Sequence, residues 1–181
     1  MMSRLAALRV PLLVVAALFV ARVRSGAQTV ALTPQLRFSH LIQLFPTEVR
    51  DAEAEGAKYP RPSTTGSATA RHCVDASNHT VAKSGDFTAG PFDIYPSVWQ
   101  QGLGKLWWRP ARPRVSDTLV VRATSLNDRM LIRSYRLTAL AHSIPSNGEE
   151  FYPSGIHLPR AGAWLIVTSV GTNWGCFLFA F

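Results

Sequence analysis

The end of the chain constrains the fold more than any other stretch, because two apolar runs follow one another there across a short break. The runs are Ala163–Val170 (AWLIVTSV) and Trp174–Phe181 (WGCFLFAF), and Gly171-Thr172-Asn173 separates them. Gly and Asn tolerate a positive φ, so the break predicts a tight turn between antiparallel strands. Both faces of each run are largely apolar, so we expect both strands to be covered on both sides.

Similar short runs, rich in β-branched and aromatic residues, recur from Arg71 onward between Gly, Pro, Asn and Asp breaks. The clearest are Lys105–Arg109, Thr118–Ala123 and Met130–Leu137, and no stretch has a long 3.6-residue period. This spacing predicts an all-β sandwich over residues 71–181. The core residues that we expect are Leu106, Val120, Trp164, Ile166 and Phe177.

The stretch before the last two strands, from Tyr152 to the start of Ala163–Val170, contains Pro153 and Pro159. Proline removes a backbone donor, so we expect this stretch to be a loop. Glu149-Glu150 follows a turn signal and predicts a solvated loop tip.

The first 27 residues have the pattern of a secretory signal peptide. Arg4 and Arg9 precede the apolar run Val10–Val20, and residues 25–27 (Ser-Gly-Ala) suit a cleavage that leaves Gln28 first. We therefore predict export, to the periplasm, the cell envelope or the exterior.

An uncleaved membrane anchor is the alternative, and Arg22 and Arg24 directly after the apolar run would fit it. The run Val10–Ala21 is only 12 residues long, whereas a spanning helix needs about 20. The sequence thus predicts no stable membrane span beyond the leader.

Charge and cysteine count limit the partners and the compartment. The net charge is +8 for the whole chain but +4 after residue 27, with 15 basic and 11 acidic residues. This mild excess, together with export, argues against nucleic acid as a partner. In an oxidising compartment Cys73 and Cys176 suggest a disulfide, and the alternative is two buried, unlinked thiols.

The segment between leader and sandwich, residues 28–70, is expected to be poorly ordered. Residues 28–55 combine a modest apolar run with several acidic residues, which suits a short helix, or a strand followed by a surface segment. Residues 57–70 (AKYPRPSTTGSATA) have the composition of a mobile linker.

The run YPSGIHLPRAGAW and its apolar continuation resemble the ending of a group of uncharacterised secreted bacterial proteins, a domain of unknown function. Upstream elements are similar as well: Val98-Trp99, then GKLWW at residues 104–108, then the strand over 119–126. The resemblance covers roughly residues 73–181. It implies export and an immunoglobulin-like β-sandwich, and it implies no established activity.

This chain departs from that group in its cysteines. Such proteins often have a Cys directly before the Trp of the penultimate strand, where this chain has Ala163. A cysteine stands on the last strand instead, as Cys176. The cysteine pairing of the group therefore does not transfer to this chain.

The pair Trp107-Trp108 is the main candidate for ligand binding. Adjacent strand residues point to opposite faces, so one of the two belongs to the core and the other to the outside. An exposed tryptophan beside Arg109, Arg112 and Arg114 could stack on a sugar ring or join a basic patch for an anionic polymer. The alternative places both tryptophans in the core and the arginines on solvated strand faces.

Metal binding and catalysis find little support in the sequence. Cys73 with His72 and His79 matches no strong metal pattern, and a further ligand would have to come from His142 or His157. No nucleophile, zincin or phosphate-loop motif is present in the sequence. We predict a non-enzymatic protein without cofactor or metal, with a binding or structural role and an envelope protein or polysaccharide as partner.

Overall fold

The computed structural model describes residues 40–59, 71–111, 118–142 and 149–181. Its helices and strands, in chain order, are α1 (Leu41–Leu44), α2 (Pro46–Ala57), β1 (Val74–Asp75), β2 (Ala82–Ser84), β3 (Phe87–Gly90), α3 (Tyr95–Gln100), β4 (Lys105–Pro110), β5 (Leu119–Ser125), β6 (Ile132–Leu137), β7 (Ala141–His142), β8 (Glu150–Gly155), β9 (Ala163–Val170) and β10 (Asn173–Ala180). The strands form two five-stranded sheets, sheet A in the order β1-β10-β9-β5-β6 and sheet B in the order β2-β3-β4-β8-β7. Over these residues the chain is a mostly β, two-sheet sandwich.

The five strands predicted from apolar runs are present as β4, β5, β6, β9 and β10. The turn between the last two is confirmed: Val170 pairs with Asn173, and Gly171 takes a φ of 54° in the loop between them. Glycine adopts that left-handed conformation without strain, whereas a residue with a Cβ atom is strained there.

The main core lies between the two sheets. Leu106, Trp164, Ile166 and Phe177 are buried in it, which confirms four of the five predicted core residues. The prediction of Val120 as a core residue is wrong, because Val120 is half-buried on the outer face of β5. Its neighbours Leu119 and Val121 point inward instead, and an unbroken apolar run does not show which set faces the core.

A second core lies on the other face of sheet A, beneath the two N-terminal helices. Val49, Ala52 and Gly56 share the buried face of α2 and pack with Trp174 and Leu178 of β10. The expectation of a poorly ordered N-terminal segment is therefore wrong for residues 40–59. Residues 28–39 and 60–70 lie outside the described part of the chain.

Acidic side chains of α2 attach the helix to the sheet. Glu48 forms an ion pair with Arg129, and Glu55 forms one with Arg122 of β5. Glu53 accepts a hydrogen bond from the backbone N–H of Cys73 at 2.9 Å. The acidic residues that the sequence places among small ones are thus contacts of the helix with the rest of the fold.

The last strand, β10, is covered on both faces and along both edges. Phe177 and Phe179 face the inter-sheet core, whereas Trp174, Cys176 and Leu178 face the helices. This confirms that the strand is not an exposed edge, and its second neighbour is the short parallel strand β1. Cys176 forms a disulfide with Cys73, just before β1, so the alternative of two unlinked thiols does not describe this structure.

The stretch predicted as a loop from Tyr152 is only partly a loop. Residues 156–162 lie outside strands, but residues 152–155 belong to strand β8, which already begins at Glu150, within the predicted loop tip. Pro153 is tolerated because β7 pairs only with Glu150 and Phe151, so the later part of β8 has no neighbour on that side. A proline at such a position removes no ladder hydrogen bond.

The close contact between α2 and β10 gives a direct test of the helical layer. A Cβ on Gly56 would lie 2.7 Å from the indole ring of Trp174. Alanine normally favours a helix over glycine, so a loss of stability on Gly56→Ala would come from this clash. We expect the free energy of unfolding to fall by about 1–3 kcal/mol, measured by urea denaturation with tryptophan fluorescence.

Gly155→Ala is the matched control, because no atom lies within 4 Å of its added Cβ. We expect this variant to change stability by less than about 0.5 kcal/mol. Equal stability of the two variants would contradict the packing of α2 on Trp174.

Candidate functional site

Strand β4 separates the two candidate tryptophans onto opposite faces of sheet B. Its burial alternates, with Leu106 and Trp108 inward and Lys105, Trp107 and Arg109 outward. Trp108 is fully buried, donates from Nε1 to Ser154 Oγ at 3.3 Å, and packs edge-on against core phenylalanines. Trp108 is therefore a core residue, and its assignment as a ligand-binding residue is wrong.

Trp107 is half-buried on the outer face of sheet B and takes no part in either core. Its cross-strand neighbours are Gly90 on β3 and Pro153 on β8. Gly90 has no room for a side chain, since a Cβ there would lie 2.1 Å from the carbonyl oxygen of Thr80. The same Cβ would lie 3.5 Å from the indole, so Trp107 lies over bare backbone on that side.

A shallow hollow of about 530 Å³ lies against Trp107. Phe151 and Pro153 of β8 continue the apolar surface, and Lys105 stands at the rim. We call the outer surface formed by Lys105, Trp107, Arg109, Phe151 and Pro153 the Trp107 face. It presents two aromatic rings and a proline ring on one side of a sheet.

The other end of the Trp107 face is charged but balanced. Arg109 forms an ion pair with Glu149, and both side chains are partly exposed. A second hollow of about 430 Å³ beside them is also lined by Lys83, Asp86 and Glu150. Two cations and three carboxylates line this hollow, so the surface has no strong preference for an anion. Arg112 and Arg114 lie outside the described residues.

Phe151 and Pro153 are the members of this face that sequence reasoning missed. The signal was present in the alternation of EFYPSG, where Tyr152 and Ser154 are buried and their neighbours face outward. The two prolines of the surrounding stretch concealed it, because a proline argues against a paired strand.

The other sequence candidates do not assemble into a reactive site. Cys73 is in the disulfide, His72 Nδ1 lies 3.3 Å from Glu53 Oε1, and His157 stacks on Trp99. Within the described ranges no three His, Cys, Asp or Glu side chains are grouped as metal ligands would be. Ser154 is buried and donates to the carbonyl oxygen of Leu106 at 2.6 Å, so its hydroxyl acts in the fold.

Aromatic side chains hold the connection between β8 and β9 at three successive carbonyl groups. The hydroxyl of Tyr95 donates to Ile156 O at 2.9 Å, and that of Tyr135 donates to His157 O at 2.8 Å. The indole N–H of Trp99 donates to the carbonyl oxygen of the next residue, Leu158. This connection is therefore a fixed part of the sandwich.

Comparison with protein families, with curated proteins and with solved structures finds no match for this chain. In the described part of the chain, each helix is too short or too polar to cross a membrane. Assignment of a function thus depends on the geometry of the chain's own residues.

Burial of the Tyr95 hydroxyl makes the stability of the fold depend on alkaline pH. Burial raises the pKa of Tyr95 from 10.0 to about 12. Between pH 10 and 12 the unfolded chain releases this proton while the folded state keeps it, so the rise in pH favours unfolding. The free energy of unfolding is therefore highest below pH 10 and falls as the pH rises toward 12. We expect a loss of at most about 3 kcal/mol, measured by urea unfolding across this range.

Tyr95→Phe is the control for this dependence. This variant should lose less stability above pH 10 than the unmodified protein. The loss that remains is the smaller contribution of Tyr135, because burial raises the pKa of that residue as well. At neutral pH the variant should be less stable by about 1–3 kcal/mol, because Ile156 O and Leu158 N lose their partner. An unchanged pH profile in Tyr95→Phe would contradict this assignment.

Proposed function

We propose that this chain is an exported, non-catalytic, immunoglobulin-like β-sandwich that binds a ligand at the cell envelope or outside the cell through its Trp107 face. Three kinds of observation support the proposal: the leader-like first 27 residues, the buried disulfide, and an open aromatic face on sheet B. The last of these carries it, because a half-buried tryptophan on a sheet face that no described helix or strand covers suits recognition.

The strand order supports the immunoglobulin-like assignment. Without its edge strand β2, sheet B has the order β3-β4-β8-β7, which corresponds to strands A, B, E and D of that fold. Without its edge strand β1, sheet A has the order β10-β9-β5-β6, which corresponds to G, F, C and C′. The disulfide departs from the usual link between strands B and F, since it joins the segment before β1 to β10. The position before Trp164, often Cys in the proteins that this chain resembles, is Ala163.

Export is supported by chemistry as well as by the leader pattern. A disulfide persists in an oxidising compartment and is rare in the bacterial cytosol. The bond closes a separation of 103 residues and ties the first strand to the last. Such a link is useful to a protein that functions outside the cell.

A neutral carbohydrate is the ligand class that the Trp107 face favours. Sugar rings present apolar C–H surfaces that stack on flat aromatic groups, and Trp107, Phe151 and Pro153 offer such groups side by side. The ion pair between Arg109 and Glu149 supplies hydrogen-bonding groups with little net charge. A polyanion would need an unbalanced positive surface, so it is the weaker alternative.

Carbohydrate binding can be tested with the exported protein on immobilised peptidoglycan, chitin, cellulose and heparin. We expect retention on chitin or cellulose, which are the neutral matrices. We expect Trp107→Ala to weaken this binding by at least about tenfold, because truncating a central tryptophan removes much of the contact surface. Leu103→Ala is the matched control, since Leu103 is 44% exposed and does not line the hollow against Trp107.

Two outcomes would count against carbohydrate as the ligand, and a third would count against the Trp107 face as its binding surface. Retention on heparin alone would favour the polyanion. Absence of retention on every matrix would leave an envelope protein as the partner and exclude the carbohydrate. Equal retention of the Trp107→Ala and Leu103→Ala variants would exclude the Trp107 face.

Export and cleavage can be tested by the intact mass of the protein recovered after expression, without reduction and after thiol alkylation. We expect the mass of a chain that begins at Gln28 and has neither cysteine alkylated. A full-length mass without alkylation would support export but contradict cleavage. A full-length mass with two alkylated thiols would contradict both export and the disulfide.

A further inference from the structure

The edges of the two sheets differ greatly in length. In the described part of the chain β1 and β7 have two residues each and β2 has three, whereas the fourth edge, β6, has six. Short edge strands are one means by which proteins avoid pairing with other chains. Strand β6 lacks that protection and is long enough to pair with a further strand.

The hydrogen-bond register shows which backbone groups of β6 point away from the sandwich. Ser125 N donates to Leu131 O at 2.9 Å, and the next pair along the ladder is Thr124 with Ile132. Hydrogen-bonded and non-hydrogen-bonded pairs alternate in an antiparallel ladder. The N–H and C=O groups of Ile132, Ser134 and Arg136 therefore face outward.

One of these groups already has a partner. The guanidinium of Arg133 donates to Ile132 O at 3.0 Å. No such contact is present at the outward-facing backbone of Ser134 or Arg136 in the described residues. The middle and end of β6 thus offer a ladder to an incoming strand.

The charge around this edge selects the kind of strand that it can accept. Arg133 and Arg136 are exposed, on opposite faces of β6, and neither has an acidic partner among the described residues. By contrast, Arg122 and Arg129 nearby are paired with Glu55 and Glu48. An added strand would therefore pass between two unpaired positive charges.

This chain cannot itself supply an acidic strand. A second copy pairing through β6 would bring four arginines into one short ladder, and like charges there are destabilising. The segments outside the described residues contain a single acidic residue, Asp117. The charges of residues 1–181 therefore favour an occupant from a different protein.

We propose that β6 is a docking edge for an extended, acidic segment of a partner protein, which adds to sheet A as a sixth strand. The backbone of Ser134 and Arg136 supplies the ladder, and Arg133 and Arg136 select acidic side chains. Ile132, which is 47% exposed, and Met130, which is 91% exposed, offer apolar contact at one end of the edge. The proposal is independent of the Trp107 face, which lies on the other sheet.

The test uses the full exported protein and two labelled peptides, one with the repeat Thr-Glu-Glu and one with the repeat Thr-Lys-Lys, because adjacent charged residues place charges on both faces of the added strand. Fluorescence anisotropy at physiological ionic strength should show that the glutamate peptide binds at least about tenfold more tightly, since opposite charges replace like charges at two positions. Arg133→Glu combined with Arg136→Glu should reverse the preference.

Ser134→Pro tests the backbone ladder directly. Its N–H points away from β5, so proline removes the outward donor without breaking the ladder to β5. We expect Ser134→Pro to abolish binding of the glutamate peptide and Ser134→Ala, the matched control, to preserve it. Near-ultraviolet circular dichroism confirms that each variant is folded.

Three results would overturn the proposal, and a fourth takes the place of the second if Ser134→Pro does not fold. Equal binding of the two peptides would exclude selection by Arg133 and Arg136. Equal binding by folded Ser134→Pro and Ser134→Ala would exclude strand addition. A homodimer in sedimentation that Ser134→Pro dissociates would show that a second copy occupies the edge. If Ser134→Pro does not fold, hydrogen exchange replaces it, and unchanged exchange at the Ser134 and Arg136 amides on peptide binding would also overturn the proposal.

Discussion

The buried guanidinium of Arg71 is the contact on which the arrangement of layers depends. It donates to Gly56 O at 2.6 Å and Tyr59 O at 2.7 Å at the end of α2, to Asp86 Oδ2 at 3.1 Å, and to Thr172 O at 3.2 Å. These acceptors belong to the helical layer, to the β2–β3 turn and to the β9–β10 turn. A buried charge needs such a full set of partners, because an uncompensated one costs several kcal/mol.

The helical layer held by Arg71 makes the sandwich asymmetric. The helices cover β9 and β10 on sheet A, and Glu55 reaches Arg122 at the border of this cover. Beyond that border no described strand pairs with the outer edge of β6, and no described helix covers the Trp107 face of sheet B. Both proposed binding surfaces therefore lie where the helical layer does not extend.

Sequence patterns predicted elements whose side chains alternate or form long apolar runs, such as β4, β9 and β10. They left α2 as one of two alternatives, a short helix or a strand, because its buried face is only Val49, Ala52 and Gly56. Its stability comes from Trp174 and from ion pairs with distant residues. No local pattern contains those partners. The sequence also did not show which alternate residues of an apolar run face the core, and this explains the wrong prediction at Val120.

The candidate site was predicted only as far as strand geometry allows. Alternation along KLWWRP requires Trp107 and Trp108 to face opposite ways, but the choice between them depends on what covers each face. Phe177 and the other sheet cover Trp108, whereas Phe151 and Pro153 only border Trp107.

The charge of the site was misjudged for a similar reason, because the partner of its arginine is distant in the sequence. Arg109 has a positive charge, and Glu149, which is 40 residues away in the chain, balances it in the fold. A balanced aromatic face on one sheet and an unbalanced positive edge on the other suit different ligands, so the two surfaces can act together without competing.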